Sequence, residues 1–195
     1  LSIDCGITVP EARVMQIGGG YHTFMVKRFD RVGAARRFFG SAMTMTGNQN
    51  SEDASYLELA EFIATWGEPN HINHDLAELF TRVVFNVATA NRDDHLRNHG
   101  FMRTPAGWRL APAFDMNPSF KKGEHALALD LYNRQPDISV VLATAGYYRL
   151  DLNRAEKIIS DTGKVIAGWK TRARKLGLSA HAVAEAEHLF LSLNH

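Results

Sequence analysis

Cysteine is almost absent from this sequence: Cys5 is the only one in 195 residues. A single thiol excludes an intrachain disulfide framework and is typical of proteins in a reducing cytoplasm, which is the compartment we expect. No apolar run approaches the roughly 18 residues of a transmembrane helix, and no signal-peptide pattern is present. We therefore expect no membrane partner. The chain begins with Leu1 rather than Met, so we expect it to be part of a longer protein.

The sequence also lacks a strong charge of either sign. It has 22 basic and 21 acidic residues, a net charge of +1 that neither requires nor excludes a nucleic-acid partner. Hydrophobic residues make up 45% of the chain and charged residues 22%, which is ordinary for a globular protein. The length is enough for one domain with a core, or for one large and one partial lobe.

Two apolar stretches near the start, residues 13–17 and 23–29, are predicted to be β-strands. The glycines between them, at residues 18–20, could form a phosphate-binding loop or a hairpin turn. The spacing and the following helix of a phosphate-binding loop are missing, so we favour the hairpin. Residues 33–47 have no clear pattern, and their larger apolar side chains are expected in the core: Phe38, Phe39, Met43 and Met45.

Helical spacing of apolar residues predicts four helices after residue 50. The first runs from a cap at Ser51 or Ser55 through Trp66, with Tyr56 on its buried face. The others are predicted at residues 75–88, 153–176 and 179–193. Between Asp115 and residue 150 we find no periodicity.

The strongest chemical signal lies between residues 91 and 115. Residues 104–107, Thr-Pro-Ala-Gly, favour a type I turn, and the apolar runs on either side predict a β-hairpin over residues 99–111. A hairpin returns the chain to its starting point, so Asn98 and Asp115 should lie close together, with Asp93 nearby. One isolated carboxylate beside a converging amide and carboxylate is what phosphoryl transfer requires, because one group handles the hydroxyl proton and two hold magnesium.

Two other interpretations of this stretch remain open. Asp93, Asp94 and Asn98 could be turn residues, because Asn and Asp are common in turns. His95 and His99, with the neighbouring aspartates, could form a divalent-metal site, but no further ligand pair has the spacing that such a site needs. We favour a His95 that braces the loop through hydrogen bonds.

The pattern Asn91-x-Asp93-x-His95-x-x-Asn98, followed by Leu-Ala-Pro-Ala-Phe-Asp at residues 110–115, closely resembles the HipA-type serine/threonine kinases. These kinases are the toxin half of bacterial toxin–antitoxin pairs and are linked to persistence. Two further segments match the family as well, residues 26–31 and 54–58. The resemblance covers essentially the whole chain.

The resemblance implies an α+β, protein-kinase-like fold of two lobes, most of which would be the helical C-terminal lobe. Residues 1–32 would be a small β remnant of the N-terminal lobe with the hinge strand. Residues 33–195 would be the helical catalytic lobe, with the catalytic loop and the β-hairpin.

The resemblance also implies ATP and Mg²⁺ as cofactors and a role for each residue of the motif. Asp93 would be the catalytic base, and His95 would support the catalytic loop. Asn98 and Asp115 would be the magnesium ligands and would thereby help to bind the nucleotide.

Two more residues would bind the nucleotide itself. Phe29 would sit in the hinge, with its backbone meeting adenine, and Asp30 would lie near the ribose. The family also has an upstream phosphate-binding loop, with its own phosphorylatable Ser, and a strand lysine that holds the ATP phosphates. This sequence starts after both, and Lys27 cannot be assumed to replace that lysine. We therefore expect the isolated chain to be inactive.

The partners that the resemblance implies are a HipB-like DNA-binding antitoxin and a protein substrate. That substrate would be an aminoacyl-tRNA synthetase or the kinase itself, and DNA would be met only through the antitoxin. Two rival functions remain: a small-molecule or lipid phosphotransferase, which shares the Asp…Asn…Asp chemistry, and a non-catalytic module that binds an antitoxin or another regulator.

Overall fold

A computed structural model describes residues 1–193, which form a mixture of helices and small antiparallel sheets. The strands are β1 (Ala12–Gln16), β2 (His22–Val26), β3 (Arg31–Val32), β4 (Ala35–Arg36), β5 (Phe39–Ser41), β6 (Gly100–Thr104) and β7 (Gly107–Leu110). The helices are α1 (Ala42–Thr46), α2 (Tyr56–Trp66), α3 (Ile72–Ala88), α4 (Ile138–Ala143), α5 (Leu152–Ala167), α6 (Trp169–Lys175) and α7 (Ala180–Ala186). β1 pairs with β2, β3 pairs with β4, and the third sheet has the order β5-β6-β7.

The core is built around α3, which packs against α2 and α5. The helical stripe predicted for it is confirmed, because these six side chains are fully buried: Leu76, Leu79, Phe80, Val83, Val84 and Val87. α3 begins at Ile72, three residues before the predicted start. Ser55 caps α2 in a capping box with Glu58, as one of the two predicted caps, and Tyr56 is buried.

The predicted hairpin near the N-terminus is confirmed as β1 and β2. Gly18 and Gly19 have φ values of 72° and 57° in the turn, a left-handed conformation that glycine adopts readily. The second strand ends at Val26 and not at Phe29, so its predicted end is wrong. Lys27 still donates to the Glu11 carbonyl at 2.8 Å, after which the chain turns towards β3.

The hairpin predicted over residues 99–111 is confirmed as β6 and β7, with Thr104 paired to Gly107 across the turn. β5 pairs with the other side of β6. A Cβ at Gly100 would lie 2.3 Å from the Phe39 ring, so only glycine fits at this crossing. The core position expected for Phe38 is wrong: its side chain is 66% exposed and meets the edge of Trp108 at a centroid distance of 5.7 Å.

Three helix predictions near the C-terminus need correction. α4 was not predicted, because six residues capped by Asp137 are too few for a periodic signal. The helix predicted over residues 153–176 is two helices, α5 and α6, which separate at Gly168. The last helix ends at Ala186 and is followed by a 3₁₀ turn over Glu187–Leu189. Over residues 1–193, no helix combines the length and the apolar character that crossing a membrane requires.

Candidate active site

The loop that carries the sequence motif begins where α3 ends. Ala90 has a φ of 53°, a left-handed conformation that is strained for a residue with a Cβ. The chain then folds back: Asn91 donates from its backbone to the Asn86 carbonyl at 2.9 Å, and its side chain donates to Asn86 Oδ1 at 3.0 Å. These contacts hold the start of the loop against the last turns of α3.

Asp94 is the internal anchor of the loop. Its side chain is buried, and Oδ2 accepts hydrogen bonds from the Tyr56 hydroxyl at 2.7 Å and from Asn86 Nδ2 at 2.6 Å. His99 Nε2 lies 2.6 Å from the same oxygen. Three elements therefore converge on one carboxylate: α2 through Tyr56, α3 through Asn86 and the start of the hairpin through His99.

Burial acts to raise the pKa of Asp94, but its partners reverse that effect. The charge and hydrogen bond of His99, with the hydrogen bond from Tyr56, hold the pKa of Asp94 below its usual range. The same burial, with the neighbouring carboxylate, raises the pKa of Tyr56 well above its usual value. Asp94 is therefore an ionised anchor, and Tyr56 is a permanent hydrogen-bond donor to it.

Asp93 has the opposite environment, because its side chain is 58% exposed. Its backbone carbonyl accepts a hydrogen bond from Asn98 Nδ2 at 3.3 Å, and its carboxylate forms an ion pair with Lys122. The carboxylate lines an open cavity of 650 Å³ together with His95 and Arg97. A hydroxyl group that enters this cavity can reach Asp93.

The two histidines of the loop differ in their contacts. The carbonyl of His95 accepts from the Asn98 backbone at 2.8 Å, while its Nδ1 is buried without a hydrogen-bond partner among residues 1–193. The brace predicted for His95 is therefore present through its backbone carbonyl, while the side chain that holds Asp94 is that of His99. In the described part of the chain, this loop included, no group of three His, Cys, Asp or Glu side chains comes together as a metal site would require.

Asp115 follows the hairpin and has an unusual backbone conformation, with a φ of 58°. Its side chain is exposed, and Oδ1 accepts from Asn117 Nδ2 at 2.9 Å. Ala111 donates to the Gly100 carbonyl at 2.9 Å, which brings together the chain ends on either side of the hairpin. That the side-chain oxygens of Asn98 and Asp115 share one ion remains a prediction.

The donor chemistry at these two residues fits magnesium. Asn98 uses its Nδ2 on the Asp93 carbonyl, so its Oδ1 is available as an acceptor. Asp115 adds an exposed carboxylate in a strained conformation, which is common where a residue is held for function. Magnesium typically takes one or two carboxylates and completes its shell with water and phosphate oxygens, so a larger acidic cluster is not required.

Phe29 lies beside the segment that carries Asp115, and Asp30 is the next residue along the chain. The Phe29 ring stacks on Phe114 at a centroid distance of 6.0 Å and an interplanar angle of 25°. Arg28 donates two hydrogen bonds to Asp30, at 2.8 and 2.6 Å, and this contact lowers the pKa of the Asp30 carboxyl. The fold thus brings the predicted hinge next to the predicted metal ligand.

A buried ion pair on α3 supports both segments that flank this region. Glu78 and Arg82 are buried together, and Arg82 Nη2 also donates to the Ala111 carbonyl at 2.7 Å. Glu78 in turn accepts from the Thr8 backbone at 3.2 Å and from its hydroxyl at 2.9 Å. α3 therefore fixes the segment ahead of β1 and the segment ahead of Asp115 at once.

A second cavity, of 560 Å³, lies between the β1–β2 hairpin and the Asp115 segment. Phe24 and Val26 of β2 form one wall, and Phe114 and Met116 form part of the other. The lining is mainly apolar and reaches Asp115 at one point. It is suited to a flat or apolar group that carries a charged end.

Several residues that build this site were not predicted from the sequence. Asp94 was considered only as a turn or metal residue, and Tyr56 was assigned to a helix face without its hydroxyl contact. The pattern Asp-Asp-His followed by a second His could have suggested a buried acid–histidine pair. Lys122 and His125 lie where no periodicity exists, so the sequence held no signal for them.

Solved structures with the same architecture identify the class of fold. The HipA chain from the Shewanella oneidensis MR-1 toxin–antitoxin system, solved with HipB and its operator DNA, matches with a TM-score of 0.73 and 18% identity over 98% of this chain and 51% of that chain. The Helicobacter pylori proinflammatory kinase CtkA matches with a TM-score of 0.58 and 14% identity over 96% of this chain and 77% of that chain. The predicted protein-kinase-like fold is confirmed.

The family to which this chain belongs is established by its match to a family model. The model of the HipA-like C-terminal domain matches residues 1–169, and the chain therefore belongs to that family, which confirms the resemblance. It spans about half the length of the HipA chain that it matches. No curated protein matches the sequence.

Proposed function

We propose that this chain is the C-terminal catalytic lobe of an ATP- and magnesium-dependent serine/threonine kinase of the HipA type. The observation that carries the proposal is that two neighbouring aspartates have different environments. Asp94 is buried and holds the loop, whereas Asp93 is exposed and faces an open cavity. A general base needs an accessible carboxylate on a rigid support, and this pair supplies both.

In this proposal Asp93 accepts the proton of the acceptor hydroxyl, and His95 supports the loop through its backbone contact to Asn98. Asn98 and Asp115 would hold magnesium through one amide and one carboxylate oxygen. When bound, Mg–ATP would supply the phosphoryl group.

The nucleotide would lie between the hinge and the Asp115 segment. Phe29 would present its backbone to adenine, and Asp30 would lie near the ribose. The stack of Phe29 on Phe114 supports this arrangement, because it links the hinge to the residue ahead of Asp115.

Residues 1–32 are proposed to be a remnant of the N-terminal lobe, and residues 33–195 the catalytic lobe. The first supporting fact is the exposure of the β1–β2 hairpin: Val14 is 61% and Phe24 68% exposed, although both lie on strands. The second is the apolar cavity beneath it. We propose that a segment outside these 195 residues covers this hairpin and completes the nucleotide cleft.

The proposed partners follow from the family and its solved relative. The Shewanella structure contains HipA with HipB and operator DNA. We therefore propose a HipB-like antitoxin as the partner of this protein, and we propose that the antitoxin, rather than this chain, contacts DNA. The proposed substrate is a protein hydroxyl, in an aminoacyl-tRNA synthetase or in the kinase itself. A lipid acceptor fits less well, because the residues that line the Asp93 cavity are polar or charged apart from Gly123 and Ala126.

The test is a transfer assay with radiolabelled ATP and magnesium on the full-length protein that contains this chain. The acceptors are an aminoacyl-tRNA synthetase, the protein itself and small alcohols. Asp93→Asn should lower turnover by about 10²–10⁴-fold, because loss of a positioned general base has that effect. The melting temperature should not change, since the side chain is exposed.

Asp161→Asn is the matched control, because Asp161 is also an exposed aspartate in ion pairs with lysines. It should leave turnover unchanged. Near wild-type turnover of Asp93→Asn would show that Asp93 is not the base. Transfer to a small alcohol but to no protein would favour the small-molecule phosphotransferase, and no transfer at all would favour the non-catalytic module.

The 195-residue chain by itself should bind Mg–ATP weakly or not at all and transfer no phosphate. In an incomplete cleft the phosphates remain in water, where each charge contact is far weaker than in a closed site. Calorimetry with Mg–ATP and the same transfer assay test this. Rapid transfer by the isolated chain would mean that no completing segment is needed.

A further inference from the structure

Lys122 is attached to the loop that carries Asp93 at two points. Its ammonium group pairs with Asp93 Oδ1, and its carbonyl accepts a hydrogen bond from Arg92 Nη1 at 2.5 Å. Four residues later, Ala126 donates from its backbone to the Arg92 carbonyl at 2.9 Å. The segment of residues 122–126 is therefore fastened across Arg92 and Asp93, and Lys122 is held at the carboxylate rather than in open solvent.

Folding stability does not account for this arrangement. The two side chains are 48% and 58% exposed, and exposed ion pairs contribute little because water screens them. The pair lies in the wall of the cavity through which an acceptor would reach Asp93. A cation placed at that point has a larger effect on reacting groups than on the fold.

The positions of the lysines in the chain also single out Lys122. Lys27 is the only lysine ahead of residue 121, and it pairs with Glu11 at 3.0 Å on the exposed hairpin. Phosphoryl transfer needs cationic groups around the transferring phosphoryl group, since charge develops on its oxygens. Among residues 1–193, Lys122 is the lysine in direct contact with the proposed base.

The geometry of the transfer step brings Lys122 close to the reacting atoms. The acceptor oxygen forms a bond to the γ-phosphorus as the bond from that phosphorus to the bridging oxygen breaks. ADP leaves with the electron pair, and the hydroxyl proton passes to Asp93. The acceptor oxygen must lie within about 2.6–3.2 Å of the Asp93 carboxylate. An ammonium group has three N–H donors. Lys122 uses one in its hydrogen bond to Asp93, so two remain to donate to phosphoryl oxygens.

We propose that Lys122 is a catalytic residue of the transfer site, which orients the Asp93 carboxylate and stabilises the charge on the transferring phosphoryl group. This inference rests on the proposed kinase function. It assigns the task to a residue from the segment that follows Asp115, outside the sequence motif.

The experiment measures self-phosphorylation and phosphate release from Mg–ATP by the full-length protein that contains this chain. Lys122→Met should lower kcat by about 10- to 100-fold, somewhat below the usual loss of one charge-stabilising donor because the site is partly exposed. The KM for ATP should remain unchanged, because the contact strengthens in the transition state. Lys122→Arg keeps a cation and should recover most of the activity, which a purely structural contact would not require. Lys121→Met is the matched control and should behave as wild type.

Each result separates this inference from the proposed function. If wild type transfers phosphate, Asp93→Asn does not, and Lys122→Met matches Lys121→Met, then the inference about Lys122 is wrong while the kinase function remains. An increase of turnover in Lys122→Met would also overturn the inference, because Lys122 would then block the base. Absence of transfer by wild type, with its cleft complete, would overturn the proposed function and this inference together.

Discussion

Two fully buried tyrosines allow a direct test of what holds the loop of residues 91–98 in place. Tyr56 and Tyr148 both have 0% exposure. The Tyr56 hydroxyl donates to Asp94 at 2.7 Å, whereas the Tyr148 hydroxyl has no hydrogen-bond partner in the described part of the chain. Replacement by phenylalanine removes only the hydroxyl in each case. Any difference between the two variants therefore reports on the hydrogen bonds of the Tyr56 hydroxyl, which donates to Asp94 and accepts from Asn86 Nδ2 at 3.3 Å.

The magnitude of the Tyr56→Phe effect follows from the charge of its acceptor. A hydrogen bond to a charged group contributes about 1.5–3 kcal/mol, more than one between neutral groups. Asp94 keeps its contacts to Asn86 and His99 in the variant. We expect the free energy of unfolding to fall by about 2 kcal/mol. For a chain of this size the melting temperature should fall by about 4–8 °C.

Tyr148→Phe should raise the free energy of unfolding slightly or leave it unchanged. Burial without a partner raises the pKa of the Tyr148 hydroxyl and makes that group unfavourable in the core. Its removal leaves the ring contact with Phe80, at a centroid distance of 5.2 Å, in place. We therefore expect this variant to be as stable as wild type or slightly more stable.

The assay is urea unfolding of wild type and both variants at pH 7, followed by circular dichroism, with thermal melts as a second measurement. Equal destabilisation by Tyr56→Phe and Tyr148→Phe would refute the argument, because the loss would then come from general disturbance of the core. An unchanged stability of Tyr56→Phe would refute it too, since the buried Asp94 would then need no donor from α2.

Two further predictions concern buried charged or ionisable groups. Burial, reinforced by the charge of Arg92, lowers the pKa of His125 to about 4, so the unfolded chain binds more protons than the folded chain between about pH 6.5 and 4. The free energy of unfolding should therefore fall by up to about 3 kcal/mol as the pH drops through that window. Urea titrations at several pH values should show that His125→Gln, unlike the exposed His181→Gln, removes this dependence of stability on pH. Arg82→Met leaves the buried Glu78 carboxylate without its partner and should lower the free energy of unfolding by about 3–5 kcal/mol. Lys157→Met, which breaks an exposed ion pair, should lower it by less than about 0.5 kcal/mol; similar losses in the last two variants would show that burial does not decide the effect.

Elements whose signals are local could be predicted from the sequence alone. The turn at residues 104–107 depends on the conformations that Pro and Gly favour, and its strands depend on the apolar runs beside it. The stripe on α3 and the Ser55 cap of α2 are patterns within a few turns of helix. The family motif around Asp93 is also contiguous. Each of these features was predicted from the residues alone, the cap as one of two alternatives, Ser51 and Ser55.

Errors arose where local patterns were too short or where burial depends on distant segments. α4 has six residues and gave no periodic signal. The helix predicted over residues 153–176 runs through Gly168, where the structure has a break between α5 and α6. Phe38 looks like a core residue by composition, but it lies just ahead of β5, and its exposed side chain packs against Trp108.

Which of the two adjacent aspartates faces outwards depends on contacts between distant segments of the chain. In the sequence Asp93 and Asp94 are chemically identical. The family motif singled out Asp93 as the proposed base, but it did not show that Asp94 is buried and Asp93 exposed. Tyr56 lies 38 residues from Asp94, and Lys122 lies 29 residues from Asp93. The fold brings these partners together, because a carboxylate loses hydration on burial and is stable there only with donors that packing supplies. The motif residues of the proposed site could therefore be predicted from the sequence. The different environments of the two carboxylates could not, because they result from contacts between distant segments.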